Sequence, residues 1–136
     1  MPPIRVAIAG GGLAGNILLR QLRRHCPDVV SARLFERRPF EDASPPGLNV
    51  LLNHNGCAAL ADADPELMAA IRAVGFEVRN WSARTMGGDV LYHLEDVVAA
   101  GLAQHPCVVA RWDRVHAATR TCERRGVEYG AAIERV

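Results

Sequence analysis

The fold is decided by the stretch IRVAIAGGGLAGNILLRQLRRHCPDVVSARLFE, which runs from Ile4 to Glu36. Its first run, Ile4–Ala9, is short, β-branched and apolar, which predicts a central parallel strand buried on both faces. Leu13–His25 carries apolar residues at helical spacing and ends before Pro27, so we predict a helix with one buried stripe. The positions that make this stripe are Leu13, Ala14, Ile17, Leu18 and Leu22. A second strand is predicted over Val29–Glu36, and strand, helix and parallel strand together form a right-handed βαβ unit.

The loop between the first strand and the helix reads G-x-G-x-x-G through Gly10, Gly12 and Gly15. In a dinucleotide-binding loop the first glycine allows the tight turn, the second lets a pyrophosphate approach the backbone, and the third lets the helix pack closely. The backbone N–H groups at the helix N-terminus, from Leu13 and Ala14 onwards, carry a partial positive charge that attracts phosphates. With a strand before it and an amphipathic helix after it, the loop predicts dinucleotide binding rather than a structural turn.

Glu36 ends the second predicted strand, 21 residues after Gly15. An acid at about this distance accepts hydrogen bonds from a ribose whose 2′-hydroxyl is unphosphorylated, which favours NAD or FAD over NADP. Arg37 and Arg38 follow directly, and they either meet a 2′-phosphate or form a solvated edge of the loop. Both interpretations of the two arginines stay open from the sequence.

The rest of the chain continues as a mixture of helices and strands after an exposed, proline-rich connection, RRPFEDASPPGLN (37–49). The Asp64-Pro65 pair is typical of a helix start, so we predict a helix over Pro65–Val74 with Gly75 as its C-cap. FEVRNWSARTM and DVLYHL, joined by two glycines, predict a β-hairpin. A turn is predicted at Asn53–Gly56, followed by a short helix. A further helix is predicted over Trp112–Arg125, with Gly126 as its C-cap, and VEYGAAIERV predicts a last strand. The residues on one face of this helix are Trp112, Val115, Ala118, Thr119 and Cys122.

The composition describes a globular chain of ordinary charge. Its 136 residues are the length of one domain, 49% are hydrophobic and 23% are charged, and the formal net charge is +1. This balance provides no basic face for nucleic acid or for a membrane surface, and no apolar run approaches the roughly 20 residues of a membrane span. The N-terminus lacks the pattern of a secretory signal, so we expect a cytoplasmic protein.

The cysteines, histidines and carboxylates form no metal-binding or catalytic pattern. The chain has four widely spaced cysteines without a C-x-x-C pair, at Cys26, Cys57, Cys107 and Cys122. We therefore predict reduced, buried thiols and no metal site. His54, in the polar stretch NHNG, is interpreted as a solvated loop residue. The carboxylates that flank a helix start are interpreted as helix caps, and no catalytic acid, base or nucleophile is predicted; these carboxylates are Asp62, Asp64 and Glu66.

The order of these segments resembles the N-terminal part of the single-component flavin-dependent aromatic hydroxylases, the group that includes p-hydroxybenzoate and salicylate hydroxylases. The resemblance rests on IRVAIAGGGLAGNILLRQLRR and on the strand that ends in FERRP. It continues in GLNVLLNHNGCAAL (47–60), where Asn49 and His54 depart from the family's pattern and the matching residues are Gly47, Val50, Leu52, Asn55, Gly56, Ala59 and Leu60. RWDRVHAA (111–118) is similar to the family's R-x-D-L-H segment, with one extra residue, through Arg111, Asp113 and His116.

The resemblance implies an α/β fold, a Rossmann-like βαβ FAD-binding domain over residues 1–136 with a parallel central sheet and a small β-hairpin insertion. The loop glycines would hold the FAD pyrophosphate, and Glu36 would hold the adenosine ribose. Arg111, or Arg114 in its place, would lie against the phosphate or ribitol region, and the Gly47–Leu51 loop with Val50 would pass near the flavin ring. NAD(P)H would reduce the flavin, and oxygen would be transferred to a small aromatic substrate.

The same resemblance implies a larger enzyme, because the family's later DG and GD segments and its substrate-covering sheet have no counterpart in this chain. We therefore expect a fragment, or one chain of a split enzyme in which a second chain or a homo-oligomer completes the FAD and substrate sites. Two other interpretations stay open. One is another oxidoreductase, either the NAD(P)-binding Rossmann domain of a dehydrogenase or a flavin oxidase of the amine-oxidase type. The other is a non-catalytic dinucleotide-binding or interaction module.

Overall fold

A computed structural model of the protein describes residues 1–42, 48–95, 98–101, 105–120 and 126–134. In chain order its elements are β1 (Ile4–Ala9), α1 (Leu13–His25), β2 (Val30–Glu36), a short 3₁₀ helix (Phe40–Asp42), β3 (Asn49–Leu52), α2 (His54–Ala63), α3 (Pro65–Ala73), β4 (Gly75–Val78), β5 (Trp81–Arg84), β6 (Val90–Leu94), β7 (Cys107–Arg111), α4 (Trp112–Thr119) and β8 (Val127–Tyr129). The chain divides into two compact units. The first combines Met1–Gly47 with Trp112–Val136, and the second is Leu48–Arg111.

A parallel three-stranded sheet in the order β1-β2-β8 forms the centre of the first unit. Ile4 lies opposite Val30 in the β1–β2 pair. In the β2–β8 pair, Leu34 lies opposite Val127. Because α1 connects β1 to the parallel strand β2, the predicted βαβ unit and the predicted α/β fold class are confirmed.

Within the described residues β1 is an edge strand, not the central strand buried on both faces that its sequence predicts. Its side chains alternate, and Ile8, only 6% exposed, packs in one cluster with Leu19 of α1 and Leu34 of β2. Ala7 and Ala9, which point to the opposite face, are exposed. The physical reason is that, among the described elements, α1 covers one face of β1. An apolar run in the sequence does not reveal whether one or both faces of its strand are covered.

α1 has the predicted bounds, but its buried stripe is shifted from the predicted one. Asn16 and Leu19 are the buried residues of the helix, whereas Leu18 is 47% exposed. An apolar pattern cannot identify a buried amide, because the burial of a polar group depends on hydrogen-bond partners that come from elsewhere in the fold.

The second unit contains an antiparallel sheet in the order β3-β7-β4, together with α2 and α3. The predicted turn at Asn53–Gly56 is instead the beginning of α2, because the side chain of Asn53 accepts a hydrogen bond from the Gly56 N–H at 2.8 Å and caps the helix. Asp64 caps α3 as predicted, with its Oδ1 3.1 Å from the Leu67 nitrogen. The polar residues Asn53 and Asp64 therefore serve as the N-caps of α2 and α3.

Gly75 begins β4 and does not have the left-handed backbone of the predicted helix C-cap. Its role is close packing against β7. A Cβ at Gly75 would lie 2.7 Å from Val108 Cγ1 and 3.0 Å from both Ala110 Cβ and the Val109 carbonyl oxygen. Only a residue without a side chain fits this position.

The predicted hairpin is confirmed as β5 and β6, an antiparallel pair with Trp81 opposite Leu94. The residues before it form the separate strand β4, which pairs with β7. α4 is described over Trp112–Thr119, and the predicted continuation through Cys122 to Arg125 lies outside the described residues, as does Gly47. Among the helices that the structure describes, each is too short or too polar to cross a lipid bilayer.

Gly75→Ala should destabilise the second unit, because the added methyl group must displace atoms of β7, and overpacking of this kind costs about 1–3 kcal/mol. Gly87→Ala is the matched control, since a Cβ there would meet Thr85 Oγ1 at an ordinary 3.6 Å. The measurement is the free energy of unfolding from urea denaturation. Equal stabilities of the two variants would show that β4 packs differently against β7.

Candidate functional site

The glycine loop leaves the carboxyl end of β1 and enters α1. Gly10 has a φ of +101°, a left-handed conformation that glycine adopts without strain, and its N–H donates to the Phe35 carbonyl oxygen at 2.8 Å. The first glycine of the motif therefore makes the tight turn that the sequence predicts for it. The turn also ties the loop to the neighbouring strand, β2.

The last glycine of the motif allows α1 to start close to the loop. A Cβ at Gly15 would overlap the Gly10 carbonyl oxygen and would lie 3.4 Å from Ile8 Cγ2. At Gly12, by contrast, an added Cβ would meet nothing within 4 Å, and among the described residues no side chain caps the N-terminus of α1. The space at Gly12 and the uncapped N–H groups of Leu13 and Ala14 are the features that a phosphate-binding loop requires.

The Glu36 carboxylate lies beside this loop, at the end of β2. Its Oε2 accepts a hydrogen bond from the Gly11 N–H at 2.6 Å, and its Oε1 accepts one from the Arg38 N–H at 2.9 Å. Gly11 permits this approach, because a Cβ there would lie 3.0 Å from Glu36 Cβ. A carboxylate has about four acceptor positions, so these two bonds leave capacity for ribose hydroxyls.

The environment of Glu36 favours its charged form. Partial burial is the strongest single influence and raises the pKa, but the N–H groups of Arg38 and Gly11, the Arg38 guanidinium charge and the electrostatic influence of the nearby His116 together lower the pKa below its usual value. The carboxylate is therefore ionised at neutral pH and is ready to accept hydrogen bonds.

Arg37 and Arg38 are both exposed at the end of β2. The backbone of Arg38 is held on two sides, since its N–H donates to Glu36 and its carbonyl oxygen accepts from the Gly130 N–H at 3.1 Å. Both side chains therefore lie at an exposed edge beside the glycine loop. The assignment of Arg37 to the cofactor site stays a prediction.

Two buried polar residues that the sequence analysis did not assign to the site, Asn16 and His116, contact the glycine loop. Asn16 Nδ2 donates to the carbonyl oxygens of Gly11, at 2.5 Å, and Gly12, at 3.0 Å. His116 Nε2 lies 2.5 Å from the same Gly11 oxygen. His116 belongs to the RWDRVHAA segment that carries part of the resemblance. The predicted buried face of this helix does not include it.

Val50 and Arg111, also predicted to contact the cofactor, lie in the second unit. Val50 is paired with Ala110 on the neighbouring strands β3 and β7, and Arg111 ends β7 opposite Asn49. The assignment of both residues to the cofactor stays a prediction from the resemblance.

His54 is half-buried in the first turn of α2 and is not the solvated loop residue that its sequence context predicts. Its Nδ1 lies 2.8 Å from the His105 carbonyl oxygen, and its Nε2 lies 3.5 Å from Cys107 Sγ. Because a carbonyl oxygen only accepts, Nδ1 carries the hydrogen and Nε2 is free to accept from the thiol. Cys57 and Cys107 are free and buried, as predicted, whereas Cys26 is only half-buried and Cys122 lies outside the described residues. Burial raises the pKa of the Cys57 thiol.

Comparisons with solved structures find the same fold in FAD-containing monooxygenases. HpxO of Klebsiella pneumoniae, in a complex with FAD, has a TM-score of 0.76 at 12% identity, over 97% of this chain and 32% of HpxO. The p-nitrophenol 4-monooxygenase PnpA of Pseudomonas putida DLL-E4 has a TM-score of 0.70 at 20% identity, over 95% of this chain and 31% of PnpA. The tetrameric form of 2-methyl-3-hydroxypyridine-5-carboxylic acid oxygenase has a TM-score of 0.70 at 18% identity, over 95% of this chain and 31% of the oxygenase.

The resemblance predicted from the sequence is thus confirmed at the level of the fold. This chain spans about a third of the length of the similar structures. No protein-family model matches the sequence, and no curated protein matches it.

Gly15→Ala should lower the stability of the first unit by more than 1 kcal/mol, an order-of-magnitude figure for backbone overpacking, because the methyl group overlaps the Gly10 carbonyl oxygen. Gly12→Ala is the control, since its added methyl group meets no atom within 4 Å. Circular dichroism during thermal unfolding compares the two variants with the wild type. A Gly15→Ala variant as stable as the wild type would contradict the close packing of α1 on the loop.

Glu36 should make the stability of the protein depend on pH. A carboxyl whose pKa is lowered by folding stabilises the protein above its unfolded pKa of about 4.3, and this contribution is lost as the pH falls through the lower folded pKa. The difference in unfolding free energy between wild type and Glu36→Gln should therefore be largest near pH 7 and shrink toward pH 3. Glu41→Gln, an exposed change in the same unit, serves as the control. A difference that stays constant over this range would contradict the ionised, hydrogen-bonded carboxylate.

Proposed function

We propose that this chain is the FAD-binding part of an NAD(P)H-dependent flavoprotein monooxygenase that hydroxylates a small aromatic compound. The observation that carries the proposal is the open, uncapped glycine loop with the Glu36 carboxylate beside it. This arrangement supplies donors for a pyrophosphate and acceptors for a ribose side by side. The shared fold of FAD-containing monooxygenases supports FAD as the dinucleotide.

In the proposed complex the chain's own residues bind and orient the cofactor. Gly12 leaves room for the pyrophosphate, and the N–H groups of Leu13 and Ala14 lie at the positive end of α1, where an anion is stabilised. Glu36 accepts hydrogen bonds from the adenosine ribose. Arg37 is part of the proposed binding edge, and Val50 and Arg111 are further proposed contacts. When bound, FAD supplies the oxygen-transfer chemistry, with NAD(P)H as its reductant.

The proposal also covers what completes the enzyme. The chain spans about a third of the similar structures. In the proposed enzyme, further polypeptide supplies the substrate-binding part, either in the same protein, in a second chain or within a homo-oligomer. The tetrameric form of one similar oxygenase supports an oligomer as one arrangement. Four cysteines without a disulfide-like spacing support a cytoplasmic location.

FAD titration into the purified 136-residue chain, followed by flavin fluorescence and calorimetry, tests the proposal. Gly12→Val should weaken FAD binding by at least about tenfold, the scale of 1.4 kcal/mol, because the side chain fills the space of the pyrophosphate. The unfolding free energy is measured in parallel, because Gly12 is the N-cap of α1 and valine is less favourable than glycine at that position.

Gly87→Ala is the control for FAD binding, because Gly87 lies in the hairpin turn of the second unit. A parallel titration with NAD separates the proposal from an NAD-binding domain. Tighter binding of NAD than of FAD, or no binding of either, would overturn the proposal.

A further inference from the structure

The Gly11 carbonyl oxygen accepts hydrogen bonds from two buried side chains. Asn16 Nδ2 and His116 Nε2 each lie 2.5 Å from this oxygen. The two side chains are 5% and 1% exposed, so water does not compete for them. Because a carbonyl oxygen only accepts, His116 Nε2 carries the hydrogen in this contact.

The orientation of a carbonyl group also fixes the N–H group of the same peptide. The described residues contain no cis peptide bond, and in a trans peptide the C=O and the following N–H point in opposite directions. With the Gly11 oxygen held by Asn16 and His116, the Gly12 N–H points away from these side chains. The Gly12 oxygen accepts from Asn16 Nδ2 and from the Asn16 N–H, both at 3.0 Å, so the Leu13 N–H is fixed in the same way.

The loop needs such a constraint because Gly10, Gly11 and Gly12 are consecutive glycines. Glycine has more accessible backbone conformations than any other residue, so a free loop would sample orientations in which the carbonyl oxygens face an incoming anion. A site whose donors are already oriented does not lose this freedom when the ligand binds, and therefore binds more tightly.

His116 is itself held in place on α4. Its ring stacks on Trp112, one helical turn earlier, at a centroid distance of 5.7 Å and an interplanar angle of 9°. The hydroxyl of Thr119 donates to the His116 carbonyl oxygen at 2.8 Å. A helix from the C-terminal part of the chain thus fixes a peptide of the N-terminal loop.

We infer that His116 and Asn16 are positioning residues that turn the Gly11 and Gly12 carbonyl groups inward and so direct the Gly12 and Leu13 N–H groups toward a dinucleotide pyrophosphate. The identity of the ligand rests on the proposed function. The orientation of the loop does not, because it follows from hydrogen bonds within the free protein.

His116→Gln and His116→Met form the matched pair that tests this inference. The two side chains have similar length and flexibility, but only glutamine retains a donor for the Gly11 carbonyl oxygen. FAD affinity should stay within about threefold of the wild type in His116→Gln and fall about tenfold in His116→Met, the scale of one lost hydrogen bond. Equal affinities in the two variants would overturn the inference. The inference would also be overturned if the His116→Gln variant folds and the His116→Met variant does not. His116 would then contribute to the stability of the fold and not to the orientation of the loop.

Amide hydrogen exchange of the free chain, followed by NMR, keeps this test separate from the proposed function. The Gly12 and Leu13 amides should exchange faster or give multiple signals in His116→Met but not in His116→Gln, with Gly88 of the hairpin turn unchanged in both. If the wild type binds no FAD while this difference is observed, the proposed function fails and the orientation of the loop stands. Identical loop amides in the two variants would show that His116 does not orient the loop.

Discussion

The close approach of α1 to the glycine loop at Gly15 is the constraint on which the candidate site depends. Only a residue without a side chain can lie against the Gly10 carbonyl oxygen, and this contact places the N-terminus of α1 directly after the turn. The same turn brings Gly11 to the end of β2, where its N–H meets the Glu36 carboxylate. The turn therefore leads directly into the positive end of a helix, and an ionised carboxylate at the end of β2 lies beside it.

Buried polar groups serve different purposes in the two units. In the second unit, buried Asp64 completes a helix by capping α3. In the first unit, buried Asn16 and His116 donate to carbonyl groups of the glycine loop. A buried polar group needs hydrogen-bond partners, and the partners of Asn16 and His116 belong to the loop that a ligand would approach.

The arrangement divides the work between the protein and its proposed cofactor. In the proposed function, the loop, Glu36 and the two positioning residues bind and orient a dinucleotide, and none of these residues is placed as an acid, base or nucleophile. Flavin enzymes work in this way, since the cofactor carries the difficult chemistry and the protein supplies binding, orientation and electrostatics.

The local elements of the first 36 residues could be predicted from the sequence because they depend on short-range physics. Apolar spacing sets the bounds of α1, a β-branched run sets β1, and the glycines set the turn between β1 and α1. The spacing from Gly15 to Glu36 predicted their shared site, because parallel strands of a βαβ unit end at the same edge. Sequence patterns were less reliable where a residue's partner is distant in the chain. They assigned Gly75 to a helix cap, although it packs against β7, and they did not show that β1 is covered on one face.

The tertiary structure alone decided that Asn16 and His116 hold the loop. These residues are 100 positions apart, and their roles arise only when α4 packs against α1 and brings His116 to the Gly11 carbonyl oxygen. A buried polar side chain leaves no periodic signal, since its burial is allowed by its partners and not by its own chemistry. The sequence by itself therefore determined the type of loop and its acidic neighbour, and the packing of the chain determined how that loop is oriented.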